Sequence, residues 1–124
     1  MTEELEQLYK EVILELYRHP LNKKDIPDAE VRYKEINPSC GDEIEIMMTF
    51  DNEHRVFDIG HTGEGCAISQ AAVSLLTDAV KGKTKDELYA MTESDMLLLL
   101  PVTIPQTRIN CALLGFRALK HSIR

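Results

Sequence analysis

The sequence predicts an α+β fold: a three-stranded antiparallel sheet packed against several helices. Three observations predict it. A helical period opens the chain, three alternating segments follow closely, and helical periods then return. The links between the alternating segments are short, which favours an antiparallel meander. The length of 124 residues suits one core, so residues 1–124 are expected to form a single domain.

The first element is a helix. Leu5, Leu8, Tyr9, Val12, Ile13, Leu16 and Tyr17 repeat at helical spacing and form one apolar stripe. The helix is expected to stop near His19-Pro20, because the residue before a proline is pushed out of the helical region. Leu21 to Asp28 is polar, contains Pro27 and reads as a loop.

The strands come next. Ala29, Val31 and Tyr33 alternate with Glu30, Arg32 and Lys34. Asn37-Pro38-Ser39-Cys40-Gly41-Asp42 is a turn cluster. Ile44, Ile46, Met48 and Phe50 give the second strand, Asp51 to His54 a hairpin turn, and Val56 to His61 the third strand.

The remaining elements are helical. Gly60 to Gly65 holds three glycines in six residues. Ile68, Ala71, Ala72, Leu75, Leu76, Ala79 and Val80 then form a second helical stripe, with Gly82 as its stop. Thr84 with Glu87 has capping-box spacing, and Thr92 caps another short helix that carries Met96 to Leu100. Pro101 to Pro105 is a linker, and Cys111 to Ile123 reads as the last helix.

Composition narrows the function. Lys and Arg number 14 against 21 Asp and Glu, a net charge of -7, which is a poor match to phosphate backbones. The chain has no Trp and only 6% aromatic residues, so a base-stacking platform is not expected. The longest apolar run, Met96 to Leu100, is far short of a membrane span. The start, Met1-Thr2-Glu3-Glu4, is acidic and unlike a secretory signal or transit peptide, so the cytoplasm is the expected compartment.

Three cysteines, Cys40, Cys66 and Cys111, are an odd count that argues against a disulfide framework. Each falls at an element boundary: Cys40 in the first turn, Cys66 and Cys111 at helix starts. A helix start offers unpaired N–H groups and a positive dipole end, which favour thiolate, the form that attacks sulfur and binds soft metals. In a meander, the Cys40 turn and the Cys66 loop can share one end of the sheet. Taken singly, each cysteine reads first as a small buried hydrophobe; together they point to a site. There is no CxxC pair, so neither a zinc ribbon nor a thioredoxin-type site is indicated. Asp42 reads first as a turn aspartate that bonds its own backbone. The alternative is a fourth, harder ligand beside three thiolates.

Other features carry less. Gly82-Lys83-Thr84 resembles the tail of a P-loop, but Thr77 stands where its first glycine is required. No βαβ unit follows Gly60 to Gly65, so a dinucleotide loop is not indicated. His61 reads as a strand-end side chain rather than a ligand, and Met47, Met48 and Met96 as core.

Four segments together resemble the IscU/SufU (NifU N-terminal domain-like) iron–sulfur scaffold family. They are Asn37-Pro38-Ser39-Cys40-Gly41-Asp42, Gly63-Glu64-Gly65-Cys66-Ala67-Ile68-Ser69, Lys81-Gly82-Lys83 and Arg108-Ile109-Asn110-Cys111-Ala112-Leu113-Leu114. The likeness runs in order over nearly the whole chain, from Leu8-Tyr9 onward. It implies that Cys40, Cys66 and Cys111 converge at one exposed end with Asp42 beside them. In the family these residues hold a nascent [2Fe–2S] cluster or, alternatively, zinc. Sulfur arrives as persulfide from a pyridoxal-phosphate cysteine desulfurase, and the cluster passes to acceptor apo-proteins. Three thiolates and a carboxylate meet the ligand count of either group. The harder carboxylate suits a cluster that must be released.

The chain departs from each branch of the family. Asn110 stands where IscU carries His before its third cysteine. Leu100-Pro101-Val102-Thr103-Ile104-Pro105 replaces the Leu-Pro-Pro-Val-Lys chaperone segment, so Hsp70-type chaperone binding is not carried over. Arg108 and Gly63 to Cys66 look more like SufU, yet only 44 residues separate Cys66 from Cys111, with no SufU-type insertion. The main expectation is a scaffold, and the alternative is a zinc-dependent sulfurtransferase partner of the desulfurase. By this resemblance Cys40, Asp42, Cys66 and Cys111 are the ligands, and Cys111 with Arg108 is the candidate catalytic pair. Any of the cysteines can be the first to receive sulfur. The chain is expected as a monomer or a cluster-bridged oligomer.

Overall fold

The computed structural model describes residues 3–39 and 41–123. The chain runs α1 (Glu3–Arg18), β1 (Val31–Asn37), β2 (Asp42–Phe50), β3 (Val56–Thr62), α2 (Ala67–Ala79), α3 (Lys85–Ala90), α4 (Glu93–Leu98), a 3-10 turn (Gln106–Arg108) and α5 (Ile109–Ser122). The strands form the expected antiparallel meander in the order β1-β2-β3.

One face of the sheet makes the core. Ile44, Ile46 and Met48 of β2 are fully buried, and their partners on β3, Ile59 and His61, lie beside Met48 and Ile46. α5 packs on β1 and β2, α2 packs on α5 and β3, and α1 lies on α2. The other face is covered in part by residues 21–28. There the Ile26 N–H meets Met47 Sδ at 3.4 Å, and Arg32 Nη2 donates to Ile26 O at 2.8 Å. Met47 is therefore as fully buried as Met48, although the two point to opposite faces.

α2 is buried almost all round, and its stripe is not wholly apolar. The Leu21 N–H donates to Ser74 Oγ at 3.2 Å, Asn22 Nδ2 to Thr77 Oγ1 at 3.1 Å, and Lys23 Nζ to Gln70 Oε1 at 3.1 Å. Gln70, Ser74 and Thr77 follow helical spacing, so one polar seam ties α2 to the loop after α1. His61 belongs to the same region: its Nε2 meets Leu21 O at 2.8 Å.

The short helices behave as their caps predict. Thr84 with Glu87, and Thr92 with Asp95, each complete a capping box. Gly82, at φ 81°, turns the chain so that its N–H reaches Val56 O at 3.0 Å, a structural role with no phosphate loop. Several boundaries differ from expectation; α4, for one, ends at Leu98 rather than running through Leu100. α5 starts at Ile109, two residues before Cys111, because the 3-10 turn after Pro105 winds directly into it. The first strand likewise begins at Val31 rather than Ala29.

Candidate metal centre

Asp42 opens β2 opposite Asn37. Among the described residues, the turn between them is served by Asn37. The Ser39 N–H donates to Asn37 Oδ1 at 3.1 Å, and the Gly41 N–H donates to Asn37 O at 2.8 Å. The Asp42 side chain is only 6% exposed, and its Oδ2 accepts the Cys66 N–H at 3.3 Å. Among the described residues, the Asp42 carboxylate therefore bonds the head of α2, 24 positions away, as the ligand alternative requires. The carboxylate is turned in toward the glycine loop.

The loop can come this close because it lacks side chains. A Cβ on Gly63, at φ 118°, would stand 2.2 Å from Glu43 O. One on Gly65 would stand 2.3 Å from Ser69 Oγ and 3.1 Å from Asp42 Cγ. The Glu43 N–H also donates to Glu64 O at 2.9 Å, which ties the loop to the start of β2. Cys66 follows as the N-cap of α2, with extended backbone and no capping bond from its side chain. Its carbonyl accepts from the Gln70 N–H at 3.1 Å and from Ser69 Oγ at 3.0 Å.

Cys111 sits in the first turn of α5 and is 6% exposed. α2 and α5 meet closely: a Cβ on Gly115 would stand 2.7 Å from Val73 Cγ2. The ligand atoms of Asp42, Cys66 and Cys111 all lie within 4.8 Å of one another. In a tetrahedral zinc site with Zn–S near 2.3 Å, ligand atoms stand about 3.8 Å apart. Closing by roughly 1 Å therefore brings the group to the spacing such an ion needs. A carboxylate and two thiols are also an appropriate donor set for zinc or iron. Cys40, the first cysteine of the motif, lies outside the described residues. Neither Cys66 nor Cys111 is in a disulfide.

Arg108 ends the 3-10 turn and caps α5 from the N-terminal side. It lines a groove of about 370 Å³ with Tyr9, Ile13, Leu14, Cys66 and Ile68. Burial, then the neighbouring Cys66, raises the Tyr9 phenol above its ordinary pKa, while Arg108 pulls the other way. Sequence patterning counted Tyr9 only as part of an apolar stripe. Its presence beside the cysteines had no local signal, since it depends on how α1 lies on α2.

His61 stands apart from the cluster. It is fully buried, and desolvation holds its pKa below the ordinary value. Met47, Met48 and Met96 are fully buried core residues. Among the described residues no histidine joins the Asp42, Cys66 and Cys111 group.

The family profile described as the NifU-like N terminal domain matches residues 8–124. The chain belongs to this family.

Several of its relatives have assigned roles. The chain is 35% identical to the zinc-dependent sulfurtransferase SufU of Bacillus subtilis (strain 168), over 136 aligned positions covering 96% of this chain and 91% of that protein. It is 34% identical to the iron–sulfur cluster assembly scaffold protein IscU of Streptococcus pyogenes serotype M1, over 137 positions covering 97% and 85%. Both alignments are longer than the 124 residues of this NifU-like domain, so both relatives carry residues with no counterpart here. A candidate scaffold protein for the SUF system from the thermophile Fervidobacterium islandicum AW-1 has the same fold. Its crystal structure superposes with a TM-score of 0.78 at 25% identity, covering 95% of this chain and 98% of that one. Among the described residues no helix of this NifU-like domain is long and apolar enough to cross a membrane.

Proposed function

We propose that this NifU-like domain is an iron–sulfur cluster assembly scaffold. It accepts sulfur from a cysteine desulfurase, gathers iron and sulfur as a [2Fe–2S] cargo on Cys40, Asp42, Cys66 and Cys111, and passes the cargo to acceptor apo-proteins. The observation that carries this reading is the convergence of Asp42, Cys66 and Cys111 within 4.8 Å from three different elements. The position of Cys40, two residues before Asp42, supports it as the remaining ligand.

The residues divide the work by chemistry. Soft thiolates bind the iron of an iron–sulfur cluster strongly, while the Asp42 carboxylate is a harder and more easily exchanged ligand. Asp42 also holds the Cys66 backbone, so exchange at the carboxylate and movement of the Cys66 loop are mechanically joined. Arg108 lines the groove with Cys66, and its positive charge there attracts anionic sulfur.

A second reading is a zinc-dependent sulfurtransferase. It is favoured by the 35% identity to SufU and by Asn110 and Arg108 ahead of Cys111. The same donor set fits zinc, which would hold the thiols as thiolates when bound.

One experiment separates the two. Metal-free protein is mixed anaerobically with a cysteine desulfurase, cysteine and ferrous iron, beside a matched zinc-loaded sample. A visible chromophore that moves to an apo-ferredoxin supports the scaffold. No chromophore in the first sample, with faster desulfurase turnover in the second, supports the sulfurtransferase.

A further inference from the structure

The polar seam between α2 and the loop after α1 contains two atoms whose bonding capacity is unused. Among the described residues, His61 Nδ1 and Gln70 Nε2 are buried without a hydrogen-bond partner. His61 is 0% exposed and Gln70 3%. Buried polar groups of native proteins are bonded, to protein or to an ordered water.

The neighbours fix what each atom offers. Leu21 O can only accept, so the His61 Nε2 that meets it at 2.8 Å carries the ring proton, and Nδ1 is a bare acceptor. Burial and the charge of Lys23 both oppose a second proton on the ring. The Lys23 ammonium can only donate, so the Gln70 atom it meets at 3.1 Å is the oxygen, and Nε2 is an unused donor.

The loop brings the two side chains to one place. The His61 N–H donates to Asn22 O at 3.1 Å and the Lys24 N–H to His61 O at 3.1 Å, so the loop runs parallel to β3. From that position the Leu21 N–H reaches Ser74 Oγ, one turn after Gln70, and Lys23 reaches Gln70 itself.

We infer that His61 Nδ1 and Gln70 Nε2 share one buried water, which accepts from Gln70 and donates to His61, and that His61 thereby positions the first turn of α2. Donor and acceptor chemistry selects the occupant. An anion would meet the Nδ1 lone pair, and a cation would meet the Gln70 amide hydrogens and Lys23. Water alone both accepts and donates, and a buried water makes roughly two to four such bonds. The bridge ends on a residue that matters to the metal cluster: the Gln70 backbone N–H donates to Cys66 O at 3.1 Å and closes the turn behind that cysteine. His61 is a positioning residue here, since it is not part of the Asp42, Cys66 and Cys111 group.

Nuclear magnetic resonance on the labelled full chain at pH 7.5 tests this. The expected ring carries its proton on Nε2 and none on Nδ1. A long-lived water should show cross-peaks to His61 Hε1, the carbon-bound proton beside Nδ1, and to the Gln70 side-chain amide. His61→Phe should abolish the water cross-peak at Gln70. It should also speed hydrogen exchange of the Gln70 backbone amide at least fivefold relative to that of Val80, which bonds Leu76 O at the far end of α2. A proton on Nδ1, no long-lived water at the two side chains, or a His61→Phe variant with the parental cross-peak or parental exchange overturns the inference. Gln70→Glu keeps the test open if His61→Phe does not fold. It offers an acceptor where the amide offered a donor, so His61 should take up its second proton at least one pH unit higher than in the parent. An unchanged His61 titration in that variant overturns the inference as well.

Discussion

Asp42 Oδ2 accepts the Cys66 N–H at 3.3 Å, a bond that spans 24 positions of sequence. It joins the first residue of β2 to the N-cap of α2 and thereby sets one edge of the metal cluster. A hydrogen bond to a charged group is worth about 1.5–3 kcal/mol, and its length puts this one near the lower figure. Asp42→Ala should therefore melt about 5 °C lower while keeping the fold. Zinc affinity, read by competition with a chromophoric chelator, should fall tenfold or more. A lower melt with unchanged zinc affinity would show that Asp42 is purely structural.

Gly65 tests the same edge by crowding. Its Cβ would press on Ser69 Oγ at 2.3 Å and on Asp42 Cγ at 3.1 Å. Gly65→Ala should weaken zinc binding, because Asp42 must give way. Adding Ser69→Ala removes the nearer clash and should recover part of the loss. Equal affinity in the single and double variants would mean that the Ser69 contact does not transmit the strain.

Gly115 controls the approach of α5 to α2. An alanine there gains about 1 kcal/mol in helix propensity but meets Val73 Cγ2 at 2.7 Å and Cβ at 2.9 Å. Overpacking of this kind costs roughly 1–3 kcal/mol, so Gly115→Ala should be net destabilising in urea unfolding. The Gly115→Ala/Val73→Ala pair should be more stable than the single variant. If the single variant is more stable than the parent, the close packing has been misjudged.

His61 predicts a pH dependence. Burial lowers its folded-state pKa below the ordinary 6.5 of the unfolded chain. Below that value the unfolded chain binds the extra proton, so stability falls as pH drops through 6.5 and on toward the folded pKa. The urea midpoint should decrease between pH 7.5 and 5.5. A His61→Gln variant should lose part of that decrease; an identical slope in the variant would exclude His61 as the source.

The sheet and the caps were legible because their signals are local. Alternation marked β2 and β3, capping-box spacing at Thr84 marked α3, and Thr92 as a cap marked α4. Asp42 was harder to read. Its residue type and position fit a turn, and only the close approach of Gly63 and Gly65 turns it toward Cys66. Cys111 joins the cluster through the packing of α2 on α5, which no spacing encodes. The two faces of β2 were half legible. Met48 follows the alternation, whereas Met47 is buried by a loop whose path is set by Arg32 and Ile26.

The polar seam on α2 bears on the direction of a thiol. Much of this helix is small-sided, with Ala67, Ala71, Ala72 and Ser74 along it. Small residues in an apolar slot would let a helix turn about its own axis at little cost. Gln70, Ser74 and Thr77 remove that freedom, since any rotation would strand their bonds to Lys23, Leu21 and Asn22 away from water. The azimuth of α2 is thus keyed by a loop 20 residues before β2. Cys66, at the head of that helix, points where the key sets it.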